Sequence, residues 1–139
     1  MARRIRDVKI ALVDAAVSSR GLLGGLLRRL GHGDVVEMRS GTEAQSRLSQ
    51  EPFDLIFVDE SLPEMDGATC VRRIRAMGGS PRVVLCVSEA TKANIVEAVR
   101  AGANHYLVKP VTIEALTDRL GRLAWPVHVA RARAVAEAS

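Results

Sequence analysis

With 139 residues and 47% apolar side chains, the chain has the size of one domain and enough hydrophobic material for a core, which excludes a disordered tail or a low-complexity array. The net charge of +4 rests largely on arginine, since only Lys9, Lys92 and Lys109 are lysines. A G- and C-rich genome produces that bias, and guanidinium also suits bidentate contacts to phosphate or carboxylate. Aromatic residues make up only 3%, too few for a single-strand nucleic-acid platform built on base stacking.

Five short apolar runs recur along the chain: Val8–Val13, Val35–Met38, Phe53–Val58, Val83–Val87 and Tyr106–Val108. Three are nearly continuous and rich in β-branched residues, as strands covered on both faces should be. Between them the spacing turns helical, with Leu22, Leu23, Leu26, Leu27 and Leu30 first, then Val71, Ile74 and Met77, then Ile95, Val96 and Val99. A last helical stripe carries Ile113, Leu116, Leu120 and Leu123. Ser40 to Glu43 reads as a capping box, Thr91 and Thr112 as N-caps, and Gly31 and Gly102 as C-terminal stops. Repeated strand–helix alternation predicts an α/β fold with a doubly wound five-stranded parallel sheet. The expected organisation is a leader over 1–7, a domain over 8–124 and a tail over 125–139.

Ligand sites in such folds lie beyond the carboxyl ends of the strands. Asp14, Asp59, Ser88 and Lys109 follow four of the runs and should converge there. Neighbouring carboxylates attract a hard cation such as Mg²⁺, and a carboxylate can itself attack a phosphoryl group. An ammonium and a hydroxyl would then neutralise and bind the transferred oxygens.

The stretch Asp54-Leu55-Ile56-Phe57-Val58-Asp59-Glu60-Ser61-Leu62-Pro63-Glu64-Met65-Asp66-Gly67 resembles the phosphoacceptor signature of bacterial response-regulator receiver domains. Ala101 to Pro110 is similar to that family's fifth-strand signature, and the likeness runs from about Val8 to Leu123. It implies the (βα)5 flavodoxin-like, CheY-like fold and phosphorylation by a histidine kinase or phosphotransfer protein. It further implies that Asp59 is the phosphoacceptor, that Asp14, Asp59 and the Ser61 backbone carbonyl hold Mg²⁺, and that Lys109 contacts the phosphoryl group. Ser88 would be the switch hydroxyl and Tyr106 the aromatic that changes rotamer, so that the fourth-helix and fifth-strand surface meets a downstream target protein. Lys109-Pro110 is expected to be cis.

One position departs from the pattern. The family has two adjacent acids after the first strand, and here the second is Ala15, so Mg²⁺ binding should be weak. The alternative is a degenerate receiver that acts as a binding module, or a receiver excised from a hybrid kinase. Glu60 is expected to be solvated or edge-packed, because alternation points it away from Asp59.

The remaining features weigh less. Cys70 and Cys86 have no metal-ligand spacing and read as buried small residues. No helix-turn-helix is left over once the domain is built, so DNA is not an expected partner. No apolar run approaches the roughly 18 residues of a membrane helix, and Met1-Ala2-Arg3-Arg4 lacks a signal-peptide core, so a cytoplasmic protein without membrane insertion is expected. Arg131 and Arg133 in the tail are candidate contacts to an acidic partner or a nucleotide phosphate, and the resemblance to receiver-like proteins makes cyclic di-GMP the ligand to consider.

Overall fold

The computed structural model describes residues 8–123, and within them each of the five apolar runs overlaps a strand, the ends differing by one or two residues. The strands are β1 (Lys9–Val13), β2 (Asp34–Met38), β3 (Leu55–Asp59), β4 (Arg82–Val87) and β5 (His105–Val108). Five helices alternate with them: α1 (Val17–Arg29), α2 (Gly41–Gln50), α3 (Gly67–Ala76), α4 (Lys92–Ala101) and α5 (Ile113–Arg122). All pairings are parallel, in the order β2-β1-β3-β4-β5. The predicted doubly wound sheet is present. The leader and the tail, with Arg131 and Arg133, lie outside the described residues.

Successive strand residues point to opposite faces, and both faces are apolar. Ile10, Leu12, Leu55, Phe57, Val84, Cys86 and Leu107 form one core with Leu23, Leu26 and Leu27 of α1 and with Ile113, Leu116 and Leu120 of α5. Ala11, Val13, Ile56, Val58, Val83, Leu85 and Val87 form the other, with Ala44 of α2, Val71 and Ile74 of α3, and Ala98 and Ala101 of α4. Each fully buried large aliphatic or aromatic side chain contributes about 1.5–3 kcal/mol relative to exposure, so burial on two faces explains the nearly continuous apolar runs of β1, β3 and β4.

The helix boundaries follow local chemistry. Ser40 accepts from the Glu43 amide, Thr91 from Asn94, Thr112 from Ala115, and Asp66 from Thr69. After α1, Gly31 adopts φ +102°, its amide donating to the Arg28 carbonyl and that of His32 to Leu27. Gly102 repeats this paired closure after α4 at φ +107°.

Three stretches differ from the helical stripes expected of them. Met77 is the C-cap of α3 and is exposed, and Leu22 is half exposed on α1. On α4 it is Ala98 and Ala101 that are buried, while Val96 and Val99 face solvent, Val99 at 66% exposure. Small side chains let α4 lie close to its neighbours and leave the larger valines outside.

Candidate functional site

The sheet order sets β1 beside β3, and the two chains end together. Asp14 follows β1, its amide continuing the ladder to the Met38 carbonyl at 3.0 Å, and Asp59 is the last residue of β3. Alternation along β3 puts Leu55 and Phe57 in the α1/α5 core, so Asp59 shares that side. Lys109 follows β5, with its amide on the Val87 carbonyl at 2.9 Å and a cis peptide to Pro110.

These positions bring three charges together. Lys109 Nζ donates to Asp59 Oδ1 at 2.8 Å and to Asp14 Oδ2 at 3.1 Å. Both acids are buried. Burial works against the Lys109 ammonium, but its hydrogen bonds to Asp59 and Asp14 outweigh that and hold its pKa above the ordinary lysine value. Asp14 is fixed further by the Ala16 amide on Oδ1 at 2.9 Å and by the Ser19 hydroxyl on Oδ2. Among the described residues Asp59 Oδ2 receives only a long contact, 3.4 Å from the Ser61 amide.

A cavity of about 420 Å³ opens beside the cluster, between α1 and the β5–α5 connection. Leu12, Leu23, Phe57, Cys86 and Val111 form its wall, and Asp14, Asp59 and Lys109 its polar end. Burial pushes the Cys86 thiol up to about 12 and the Cys70 thiol up to about 11, so neither is a thiolate near neutral pH. Both cysteines are free and buried, as expected.

The β3–α3 connection is folded back tightly on Asp59. The Gly67 amide donates to the Glu60 carbonyl at 2.7 Å, and Ser61 bridges to Asp66. A Cβ on Gly67 would lie 2.3 Å from the Asp59 carbonyl oxygen and 2.8 Å from Glu60 Cα. Only glycine leaves room for that approach.

The structure thus gathers Asp14, Asp59 and Lys109, with Ser61 alongside. Ser88 follows β4 and is exposed, and among the described residues no hydrogen bond joins its hydroxyl to the cluster. Tyr106 sits away from the cluster on β5, half-buried, with the Arg119 guanidinium 5.1 Å over its ring and Arg119 Nε donating to its carbonyl at 2.8 Å. Three residues contribute in ways the sequence did not show. Ser19 holds Asp14. Buried Arg20 spans from the Asp14 carbonyl, at 2.7 Å, to Glu37, at 3.1 Å. Glu60 is partly exposed, as expected at the sheet edge, but it has a specific partner there, since its Oε1 accepts from the Ser88 amide at 2.7 Å.

The family profile for the response regulator receiver domain matches residues 10–121. The chain belongs to the response-regulator receiver family. A chemotaxis protein CheY homolog of Campylobacter jejuni is 34% identical over 116 residues, covering 81% of this receiver and 89% of the relative. Among solved structures, the Vibrio cholerae chemotaxis protein CheY4 is similar with a TM-score of 0.75 and 27% identity, over 83% of this chain and 97% of that one. The receiver domain of Ssk1 from Saccharomyces cerevisiae, solved with the histidine phosphotransfer protein Ypd1, shares the fold at a TM-score of 0.74 and 23% identity, over 81% and 85% of the two chains. Receivers are signalling domains, and this one carries two acids and a lysine in contact at the carboxyl end of its sheet.

Its donor set for a hard cation is thin. Ala15 offers no side-chain oxygen, and among the described residues no group of three His, Cys, Asp or Glu side chains could hold a metal. Mg²⁺ is commonly held by one or two carboxylates with waters and phosphate oxygens, so Asp14 and Asp59 meet the minimum.

Proposed function

We propose that this receiver accepts a phosphoryl group on Asp59 from a phosphohistidine on a kinase or phosphotransfer protein. The observation that carries the reading is the sharing of one ammonium by two buried carboxylates at the sheet end, with one Asp59 oxygen left nearly free. Oδ1 is held by Lys109, so Oδ2 is the nucleophile. It bonds to phosphorus as the P–N bond breaks, the electron pair returns to the imidazole nitrogen, and a mixed anhydride remains on Asp59. Lys109, fixed from two sides, stays charged beside the transferred oxygens. Mg²⁺, held by Asp14, Asp59 and the Ser61 carbonyl, would supply additional charge neutralisation, weakly because of Ala15.

The yeast neighbour's phosphotransfer partner supports a donor of that class. The output is a change at the α4–β5 surface, with Ser88 drawn toward the phosphoryl group and Tyr106 responding, and this alters affinity for a target protein. Among the described residues no helix is long and apolar enough to cross a membrane. A cytoplasmic site of action belongs to the same reading.

Intact mass after incubation with acetyl phosphate and Mg²⁺ tests it. A gain of one phosphoryl group in wild type and none in Asp59→Asn supports the reading. No gain by folded wild type refutes it and favours the second reading, which the loss of an acid at Ala15 motivates: a receiver-shaped binding module. Calorimetric titration with cyclic di-GMP, wild type beside an Arg131→Ala, Arg133→Ala variant, then tests the ligand considered for the tail.

A further inference from the structure

The contact between Glu60 and Ser88 is not accounted for by phosphoryl transfer itself. The β3–β4 ladder pairs Asp59 with Cys86, and the Glu60 amide donates to the Cys86 carbonyl at 2.9 Å. One step further on, the sheet has ended: β4 stops at Val87 and the backbone of β3 turns away toward Ser61. The Ser88 amide would then have no ladder partner. Glu60 Oε1 takes that place at 2.7 Å, extending the pairing by one residue with a side-chain carboxylate. The backbone from which this carboxylate reaches is well anchored, because the Glu60 carbonyl is gripped by the Gly67 amide and its Cα lies where Gly67 admits no side chain. Alternation places Asp59 on the α1/α5 side and therefore sends Glu60 to the other side, toward the β4–α4 connection.

We propose that Glu60 is a positioning residue that holds the Ser88 segment in its unphosphorylated place, and that phosphorylation of Asp59 displaces this hold. The inference rests on the phosphoacceptor reading and names the restraint working against the switch. In the held arrangement the Ser88 hydroxyl is exposed and makes no hydrogen bond to Asp59. Movement of the Ser88 backbone toward a phosphoryl group on Asp59 breaks the bond from its amide to Glu60. A phosphoryl group carries about −1.5 to −2 charges near neutral pH. Placed on the adjacent residue, it repels the Glu60 carboxylate and offers the freed Ser88 amide a stronger anionic acceptor. The hydrogen bond that stabilises the off position is therefore weakened by the same event that creates its replacement.

The test uses the full chain with Glu60→Ala, which removes the acceptor, and Glu60→Gln, which keeps a neutral one in the same shape. Amide hydrogen exchange reads the hold directly, and beryllofluoride with Mg²⁺, as a phosphoryl mimic on Asp59, reads the switch. A hydrogen bond to a charged acceptor, discounted for exposure, supports about a threefold to tenfold effect. In Glu60→Ala, Ser88 amide exchange should accelerate by that factor while Val87 is unchanged, and beryllofluoride affinity should rise by a similar factor. Glu60→Gln should fall between Ala and wild type in both readouts. A purely structural Glu60 would lower stability without raising affinity. Equal Ser88 exchange in wild type and Glu60→Ala, or unchanged or reduced beryllofluoride affinity in that variant, would overturn the proposal. A wild type that binds no beryllofluoride but shows the exchange difference would point to failure of the phosphoacceptor reading, removing the switching role and leaving Glu60 only a structural tie.

Discussion

Replacing Lys109 with methionine should leave two buried carboxylates facing each other without their shared cation. The ammonium lies 2.8 Å from Asp59 and 3.1 Å from Asp14. Opposite unit charges at 4 Å attract by about 4 kcal/mol at an effective dielectric constant near 20, so the gross attraction here is several kcal/mol. Dehydration of all three groups opposes it, and 27% of the Lys109 side chain stays in water, so screening reduces the net value further. A net loss of about 2 kcal/mol is expected for Lys109→Met. Asp59→Asn removes one of the two carboxylates that repel each other once the lysine is gone, so the same lysine substitution made in an Asp59→Asn background should cost about 1 kcal/mol less. Urea unfolding of the four proteins, fitted with a common slope, measures that coupling. If the two substitutions add to within about 0.3–0.5 kcal/mol, the triad is not an energetic unit and the argument from shared charge fails.

Four further outcomes follow from the same geometry. The raised Lys109 pKa carries a definite sign: its stabilisation is fully present below the unfolded lysine value of about 10.4 and is lost as pH rises through the higher folded value, so wild type should lose more stability than Lys109→Met above about pH 10 in urea unfolding. Gly67→Ala, whose Cβ meets backbone rather than a movable side chain, should cost about 3 kcal/mol or more by thermal or urea unfolding, and a near-neutral result would show that the β3–α3 connection yields. Arg75 donates to the Gly102 carbonyl at 2.8 Å, the Pro81 carbonyl at 2.7 Å and Asn104 Oδ1 at 2.8 Å, so Arg75→Ala should lose about 2–3 kcal/mol and Arg75→Lys should recover little of it. Ala15→Asp should tighten Mg²⁺ binding by about tenfold through added ligand charge, measured by calorimetric titration, and unchanged affinity would show that position 15 does not face the cation.

What was legible in the sequence is what depends on position along a strand or on composition. Two-sided burial writes itself as unbroken apolar runs, so β1, β3 and β4 were plain, and the carboxyl-end rule placed Asp14, Asp59 and Lys109 in one cluster before any geometry was known. Helix faces were less legible. Counting apolar side chains selects Val96 and Val99 on α4, yet the buried positions are Ala98 and Ala101, because close packing there rewards small size over hydrophobicity. The least legible residues are those whose partner is remote in sequence and set by loop geometry. Alternation correctly sends Glu60 away from Asp59, but a carboxylate on a flexible stem does not stop at the strand face, and its partner is the Ser88 amide 28 residues on. Arg20 reads as one more polar residue in a helix until the fold brings Glu37 and the Asp14 carbonyl to it. In both cases the deciding group is backbone or a distant charge, to which a pattern of side-chain types along one element is blind. The reactive cluster is therefore foreseeable from strand order, whereas the contacts that hold and restrain it appear only once the loops are in place.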